Sequence, residues 1–193
     1  MRIVGGTLKG RALKAPKGHD VRPTSDRVRE SIFNILTNGN PARAMASEMD
    51  DAQVLDVFAG TGAMGLEALS RGAASVLFLD NSGPSLAVVT DNAAALGVVK
   101  QCRTLKLDAS RLGQPPRLLS QPASLAFLDP PYGQGLALPA LLGLARYGWL
   151  APHAVVVVET ESSAPFDPPP GYVALDARKY GAALVTFLKV ANG

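Results

Sequence analysis

The stretch Val54-Leu55-Asp56-Val57-Phe58-Ala59-Gly60-Thr61-Gly62-Ala63-Met64-Gly65 restricts the fold more than any other part of the chain. Val54, Leu55, Val57 and Phe58 suit a strand buried on both faces, and Leu66-Glu67-Ala68-Leu69 suits a helix packed back on that strand. A strand covered on both sides belongs to a sheet held between helix layers. The glycines let the backbone come close to a ligand where a Cβ would collide. The spacing Gly60-x-Gly62-x-x-Gly65 fits a dinucleotide fingerprint, and Asp80, ending the next apolar run, is placed to grip ribose hydroxyls. Ordinary glycine turns produce the same spacing, so it selects no ligand by itself. Asp56 narrows the choice. A carboxylate inside an apolar strand costs several kcal/mol to bury unpaired and wants a cation or hydrogen-bond donors. It would repel a pyrophosphate and hold an ammonium group such as that of S-adenosylmethionine.

Periodicity places the remaining elements. Residues 1–18 alternate short apolar pieces with glycines and predict a small hairpin. Val28, Ile32, Ile35 and Leu36 lie on one helical stripe, with Thr24, Ser25 or Asp26 as cap and Arg27 or Arg29 on the opposite face. Beyond the glycine turn, strands are predicted at Ser75 to Asp80, Cys102 to Leu107, Leu125 to Leu128, Ala154 to Val158, Tyr172 to Asp176 and Leu184 to Val190. Helices alternate with the earlier ones, one starting near Pro84 and one covering Leu136 to Tyr147. The pattern predicts an α/β, doubly wound Rossmann-like sheet of about seven strands (residues 41–193), preceded by a hairpin and helix extension (residues 1–40).

Charge is unevenly distributed. Residues 1–30 carry eight basic side chains against three acidic ones, so +5 sits there and −2 on the remainder of a chain whose net charge is +3. Such a basic arm suits a polyanion, nucleic acid above all, or else a solvated face. No apolar run reaches the roughly 20 residues of a membrane span, and the start lacks the apolar core of a signal peptide, so a cytoplasmic protein is expected. Cys102 is the single cysteine, and His19 and His153 are far apart, so no disulfide and no metal are expected.

In a doubly wound sheet, ligands bind beyond the carboxyl ends of the strands. Asp56, Asp80, Asp108 and Asp129 end four successive predicted strands and are expected to face one crevice. The fourth opens the tetrapeptide Asp129-Pro130-Pro131-Tyr132. Two prolines lock the backbone and supply no N–H, leaving the carbonyls of Asp129 and Pro130 as fixed acceptors. A carboxylate, a rigid carbonyl and an aromatic ring together match the exocyclic amine of a planar base.

That tetrapeptide resembles the motif of amino-group methyltransferases that use S-adenosylmethionine, and Asp56-Val57-Phe58-Ala59-Gly60-Thr61-Gly62 resembles their donor-binding motif. Arg2-Ile3-Val4-Gly5-Gly6, Arg22 to Glu30, Phe33-Asn34-Ile35-Leu36 and Arg178-Lys179-Tyr180-Gly181 are similar to the RsmD family, guanine-N2 methyltransferases of 16S ribosomal RNA. The resemblance implies a class I methyltransferase fold. It also implies that Asp56, Ala59, Gly60, Thr61 and Gly62 hold the methionyl part of the donor, Asp80 its ribose, and Asp108 with Ala109 its adenine. It makes Asp129, Pro130 and Tyr132 catalytic, and Arg2, Lys9, Arg11 and Arg22 the RNA-phosphate contacts. The implied partner is 16S ribosomal RNA in an assembling small subunit, acted on by a monomer. A DNA or RNA adenine-N6 methyltransferase would use the same tetrapeptide, though no target-recognition domain is left over. A glutamine-methylating enzyme does not need so basic an arm. An NAD-dependent oxidoreductase leaves Asp56 and the tetrapeptide unexplained, and a catalytically silent RNA-binding module explains only the arm.

Overall fold

The computed structural model describes residues 1–15, 25–39 and 49–191. Arg22, and Thr24 as a possible cap, lie outside these residues.

Helix α1 (Asp26–Asn38) starts on Ser25, whose hydroxyl accepts from Val28 N–H, and ends at Gly39. It leads to β1 (Gln53–Val57), α2 (Ala63–Ser70), β2 (Ser75–Asp80), α3 (Gly83–Leu96) and β3 (Cys102–Lys106). The chain continues through β4 (Ala123–Leu128), α4 (Ala137–Arg146), β5 (Leu150–Glu161), β6 (Tyr172–Tyr180) and β7 (Ala183–Val190). The seven strands form one mixed sheet in the order β3-β2-β1-β4-β5-β7-β6. β1 to β5 run parallel, and β7 inserts antiparallel between β5 and β6. The order reverses between β1 and β4, the place where such sheets open a crevice.

Alternation along the buried strands divides the core in two, because successive side chains point to opposite faces. Val54, Val76, Phe78, Leu125 and Phe127 pack with Leu66, Val89 and Ala93 of α2 and α3. Ile3, Leu13, Ile32, Phe33 and Leu36 join this same cluster, so the described N-terminal residues cover one face of the sheet. Leu55, Val57, Leu77, Ala126 and Leu128 pack on the other side with Ala140, Leu141 and Leu144 of α4 and with Trp149. No helix among the described residues is long and apolar enough to cross a membrane.

Three expectations need correction. Phe58 does not extend β1: it turns left-handed with φ 62° and redirects the chain into the glycine turn. β5 and β6 run several residues further than their apolar runs: Leu150 pairs with Ala123 of β4 at the start of β5, and β7 pairs as far as Glu161 and Tyr180. Arg29 is not on the outer face of α1. It is 0% exposed, with the stripe shifted to Arg29, Ile32, Phe33 and Leu36. A buried cation needs a partner, and Glu67 of α2, also 0% exposed, lies 3.6 Å away.

Among the described residues, the hairpin expected at the N-terminus reduces to an antiparallel bridge between Arg2 and Ala12. It is fastened to the sheet domain by polar contacts. Val4 N–H donates to Glu67 Oε2 at 2.8 Å, and Ser70 Oγ accepts from Leu8 N–H and donates to the Gly5 carbonyl. At the other edge, the hydroxyls of Ser31 and Tyr180 meet at 2.6 Å, which brings the α1 motif and the β6 end together.

Candidate active site

A cavity of about 590 Å³ opens beyond the carboxyl ends of β1 to β5. That size suits a cofactor or small ligand. Its wall takes Gly60 and Thr61 after β1, Asp80 to Ser82 after β2, and Leu107 to Ala109 after β3. Asp129 to Tyr132 after β4 and Glu159 near the end of β5 complete it. Of the four acids expected to share one crevice, Asp80, Asp108 and Asp129 meet here, together with the candidate site residues Gly60, Thr61, Ala109, Pro130 and Tyr132.

The three glycines of the fingerprint do different things. A Cβ on Gly60 would meet no protein atom nearer than the Phe58 carbonyl oxygen at 4.0 Å, so it would stand at the open cavity wall. A Cβ on Gly65 would strike Phe78 Cε1 at 2.5 Å and Val76 Cγ1 at 2.7 Å, so this glycine lets α2 sit against β2. Gly62, left-handed at φ 76°, meets Phe78 and Val89 at 3.1 Å and caps α2. Gly62 and Ala59 shape the turn without lining the cavity. Ala59 N–H donates to the Leu79 carbonyl and Gly62 N–H to the Ala59 carbonyl.

Asp56 departs from expectation. It is 3% exposed and is not part of the cavity wall. Its Oδ2 accepts from Gly65 N–H at 2.9 Å. The first turn of a helix has N–H groups without intrahelical partners, and a side chain alternating towards the α2 face meets one of them. The hydrogen-bond partner of the buried acid is therefore the backbone of the turn. Burial pushes its pKa up to about 8, against the Gly65 hydrogen bond, and Asp129 and Asp80 add to the rise.

The other acids are held in place by backbone donors. Asp80 accepts from Gly60 N–H at 2.9 Å and from Ser82 N–H at 2.8 Å, joining the end of β2 to the glycine turn. Asp108 accepts from both N–H and hydroxyl of Ser110, bonds that lower its pKa. Asp129 N–H reaches back to the Val57 carbonyl at 3.4 Å across the switch point. Pro130 is buried, whereas Tyr132 is 40% exposed and its hydroxyl donates to Glu159 Oε1 at 3.0 Å.

An adenosyl methyl donor fits this wall on its own chemistry. Gly60 leaves the turn bare, Asp80 and Asp108 offer acceptors for hydroxyl and amine hydrogens, and Leu79, Leu107 and Ala109 give apolar contact for a ring. Among the described residues, no group of three or more His, Cys, Asp or Glu is placed to hold a metal ion.

Arg2, Lys9, Arg11 and Lys14 of the basic arm lie on the surface, and none of them lines the cavity. Arg2 pairs with Asp26 at 3.4 Å, Arg11 donates to the Ala95 carbonyl at 2.7 Å, Lys14 meets Asp91 at 3.2 Å, and Lys9 is exposed. Exposed pairs of this kind are worth about 0–1 kcal/mol and exchange readily for other anions.

Asn81, Ser82, Ser85, Gln134, Leu136 and Glu159 also line the cavity. Glu159 had a readable signal, an acid closing an apolar strand like the four aspartates. The others carry no pattern of their own.

The conserved hypothetical protein 95 family model matches residues 1–189. Ribosomal RNA small subunit methyltransferase D of Escherichia coli (strain K12) is 39% identical over 166 residues, covering 83% of this chain and 75% of that protein. Its namesake in Haemophilus influenzae is 33% identical over 190 residues, covering 94% and 89%. A solved structure from Escherichia coli, provisionally described as a methyltransferase, superposes with a TM-score of 0.79 at 34% identity, over 98% of this chain and 97% of the other.

Proposed function

The chain belongs to the RsmD family, described as conserved hypothetical protein 95, and we propose that this methyltransferase modifies the exocyclic N2 of a guanine in small-subunit ribosomal RNA. The observation that carries this reading is the meeting of Asp129, Pro130 and Tyr132 with Gly60, Asp80 and Asp108 around one cavity.

S-adenosylmethionine, when bound, supplies a methyl group on a positively charged sulfur. The chain's residues do the rest. Gly60 and Thr61 give the donor room at the turn, Asp80 accepts from ribose hydroxyls, and Asp108 accepts from the adenine amine beside Ala109. Asp56 holds the turn from beneath through Gly65. A flipped guanine stacks on Tyr132, and the Asp129 carboxylate and Pro130 carbonyl accept its N2 hydrogens. That amine is a poor nucleophile because its lone pair is delocalised into the ring. Acceptors placed for a more tetrahedral nitrogen favour the reacting geometry over the ground state. Orientation of the two reactants contributes up to roughly 7–11 kcal/mol in well-aligned systems. The amine proton then passes to Asp129 or water.

Arg2, Lys9, Arg11 and Arg22 bind RNA phosphates in this reading, with residues 1–40 as the RNA-facing extension and 41–193 as the donor-binding domain. Affinity for RNA then falls steeply with salt. The substrate is 16S ribosomal RNA in an assembling subunit, met in the cytoplasm by a monomer.

Two measurements test the proposal. In a thermal-shift comparison, S-adenosylhomocysteine at 100 times its dissociation constant stabilises the protein by about 2.7 kcal/mol, while NADH does not. Asp129→Ala abolishes transfer to 16S ribosomal RNA and keeps the calorimetric affinity for S-adenosylhomocysteine. Full activity in that variant removes the catalytic assignment.

A further inference from the structure

Glu159 is placed by the sheet rather than by the tetrapeptide. β4 and β5 are parallel, with Leu128 opposite Val158, so Asp129 and Glu159 leave neighbouring strands at the same level. Both line the cavity, and Tyr132 O–H ties its ring to Glu159 Oε1 at 3.0 Å. A base stacked on Tyr132 and offering its amine to Asp129 therefore brings the adjacent ring edge towards Glu159.

The nucleobases differ at that edge. Beside its N2 amine, guanine carries an N1–H donor. Beside its N6 amine, adenine carries a bare N1 lone pair. A carboxylate is an acceptor only, with about four lone-pair sites across its two oxygens, so a bond from Tyr132 and one from N1–H are compatible. It attracts the guanine edge and repels the adenine edge.

We propose that Glu159 is a specificity residue of this site: its carboxylate accepts the N1–H of the target guanine, and thereby selects guanine over bases that carry an amine beside an unprotonated ring nitrogen. This rests on the guanine-N2 reading above and goes further, assigning the discrimination to one side chain outside the tetrapeptide. The same contact draws electron density from N1–H into the ring and towards N2. A site built around a substrate N–H rejects analogues that lack it much more strongly than an apolar pocket rejects a change of size.

2-Aminopurine tests the inference, because it keeps the 2-amine of guanine and lacks N1–H. Two synthetic RNAs spanning the nucleotide methylated by the wild-type protein in 16S ribosomal RNA are compared, one with guanosine and one with 2-aminopurine riboside at that position. The wild type prefers guanosine in kcat/KM by on the order of tenfold or more, as expected for one base-edge contact. Glu159→Gln removes the charge and leaves one carbonyl oxygen beside an NH2 donor; with that oxygen taken by the Tyr132 hydroxyl, the NH2 faces the base and the preference collapses towards unity or inverts. Tyr132→Phe, which keeps the ring and removes the hydroxyl that bonds Glu159, lowers transfer to both RNAs in proportion and preserves the ratio.

If Glu159→Gln lowers both rates equally and leaves the ratio unchanged, Glu159 serves only to orient Tyr132 and the inference is overturned. A ratio lost as fully in Tyr132→Phe overturns it in the same way. If Glu159→Gln does not bind S-adenosylhomocysteine, Glu159→Asp, which keeps the charge and withdraws it, is read by the same ratio. A wild-type protein that transfers no methyl to any guanosine RNA defeats the underlying reading itself, an outcome separate from an active enzyme with an unchanged ratio.

Discussion

The side-chain amide of Asn92 donates to the carbonyl oxygen of Thr61 at 3.1 Å, deep in the protein where Asn92 is 1% exposed. The same side chain accepts from Lys14 N–H at 2.8 Å and donates to the Lys14 carbonyl at 3.1 Å. One amide thus holds both the basic arm and the turn that lines the cavity. Coupling between two sites is reciprocal in their binding free energies, so whatever fixes the arm also steadies the turn. Asn92→Ala strands these polar groups and costs about 1–3 kcal/mol, read from urea unfolding. It also weakens S-adenosylhomocysteine binding in calorimetry. Unchanged donor affinity would mean that the turn is held by β1 and α2 alone.

Arg29 and Glu67 form a further connection, between α1 and α2. Glu67 also accepts from Arg71 Nε at 2.8 Å, and Arg29 Nη2 donates to Asp26 at 2.8 Å and to the Arg2 carbonyl. Arg71 in turn lies over the Phe33 ring, 4.8 Å from its centre. Removing one partner of a buried pair leaves a charge uncompensated, at a cost of about 3–5 kcal/mol. Glu67→Ala should lower the urea midpoint accordingly. Combining it with Arg29→Met should recover much of that loss, a non-additivity that two independent surface residues would not show.

The sheet was legible in the sequence because β1, β2, β4 and β5 are apolar on both faces, and only a strand between helix layers reads that way. Strand lengths at β5 and β6 were not, since Leu150, Glu161 and Arg178 to Tyr180 are held in the sheet by pairing with β4 and β7 and not by apolar runs of their own. The placement of Asp80, Asp108 and Asp129 followed from one rule about strand ends. Asp56 obeyed a different constraint: its side chain alternates towards α2, and its nearest donor is a helix N–H. Arg29 was misread because a charged residue on a helix stripe signals exposure by default. Its buried partner Glu67 lies 38 positions away, beyond the reach of helical periodicity.

Substitutions at Gly60 and Gly65 should separate ligand contact from packing. An L-residue in the left-handed region costs roughly 1–2 kcal/mol, and Gly60, at φ 53°, incurs that and little else. Its added methyl stands at the cavity wall, so Gly60→Ala lowers S-adenosylhomocysteine affinity by on the order of tenfold, roughly 1.4 kcal/mol. Gly65→Ala drives a methyl into Phe78 and Val76 and forces α2 away from β2. Overpacking of that kind costs typically about 1–3 kcal/mol, seen as a fall in melting temperature. Equal effects of both substitutions on stability and binding would refute the division of labour.

Asp56 makes stability depend on pH in a direction opposite to that of a salt-bridged acid. Its carboxyl ionises at 3.8 in the unfolded chain and at about 8 in the folded protein, chiefly because of burial. Between these values the native state keeps a proton that the unfolded state has lost. Unfolding then releases a proton, and stability falls as pH rises through the window, levelling off above the folded value. Asp56→Asn keeps an oxygen for the Gly65 N–H and has no charge to bury. The melting temperature of the variant relative to the wild type should therefore rise steadily from pH 4 to pH 8 and change little beyond. A flat difference across that range would mean that Asp56 is ionised in the native protein, with its charge compensated by donors other than Gly65.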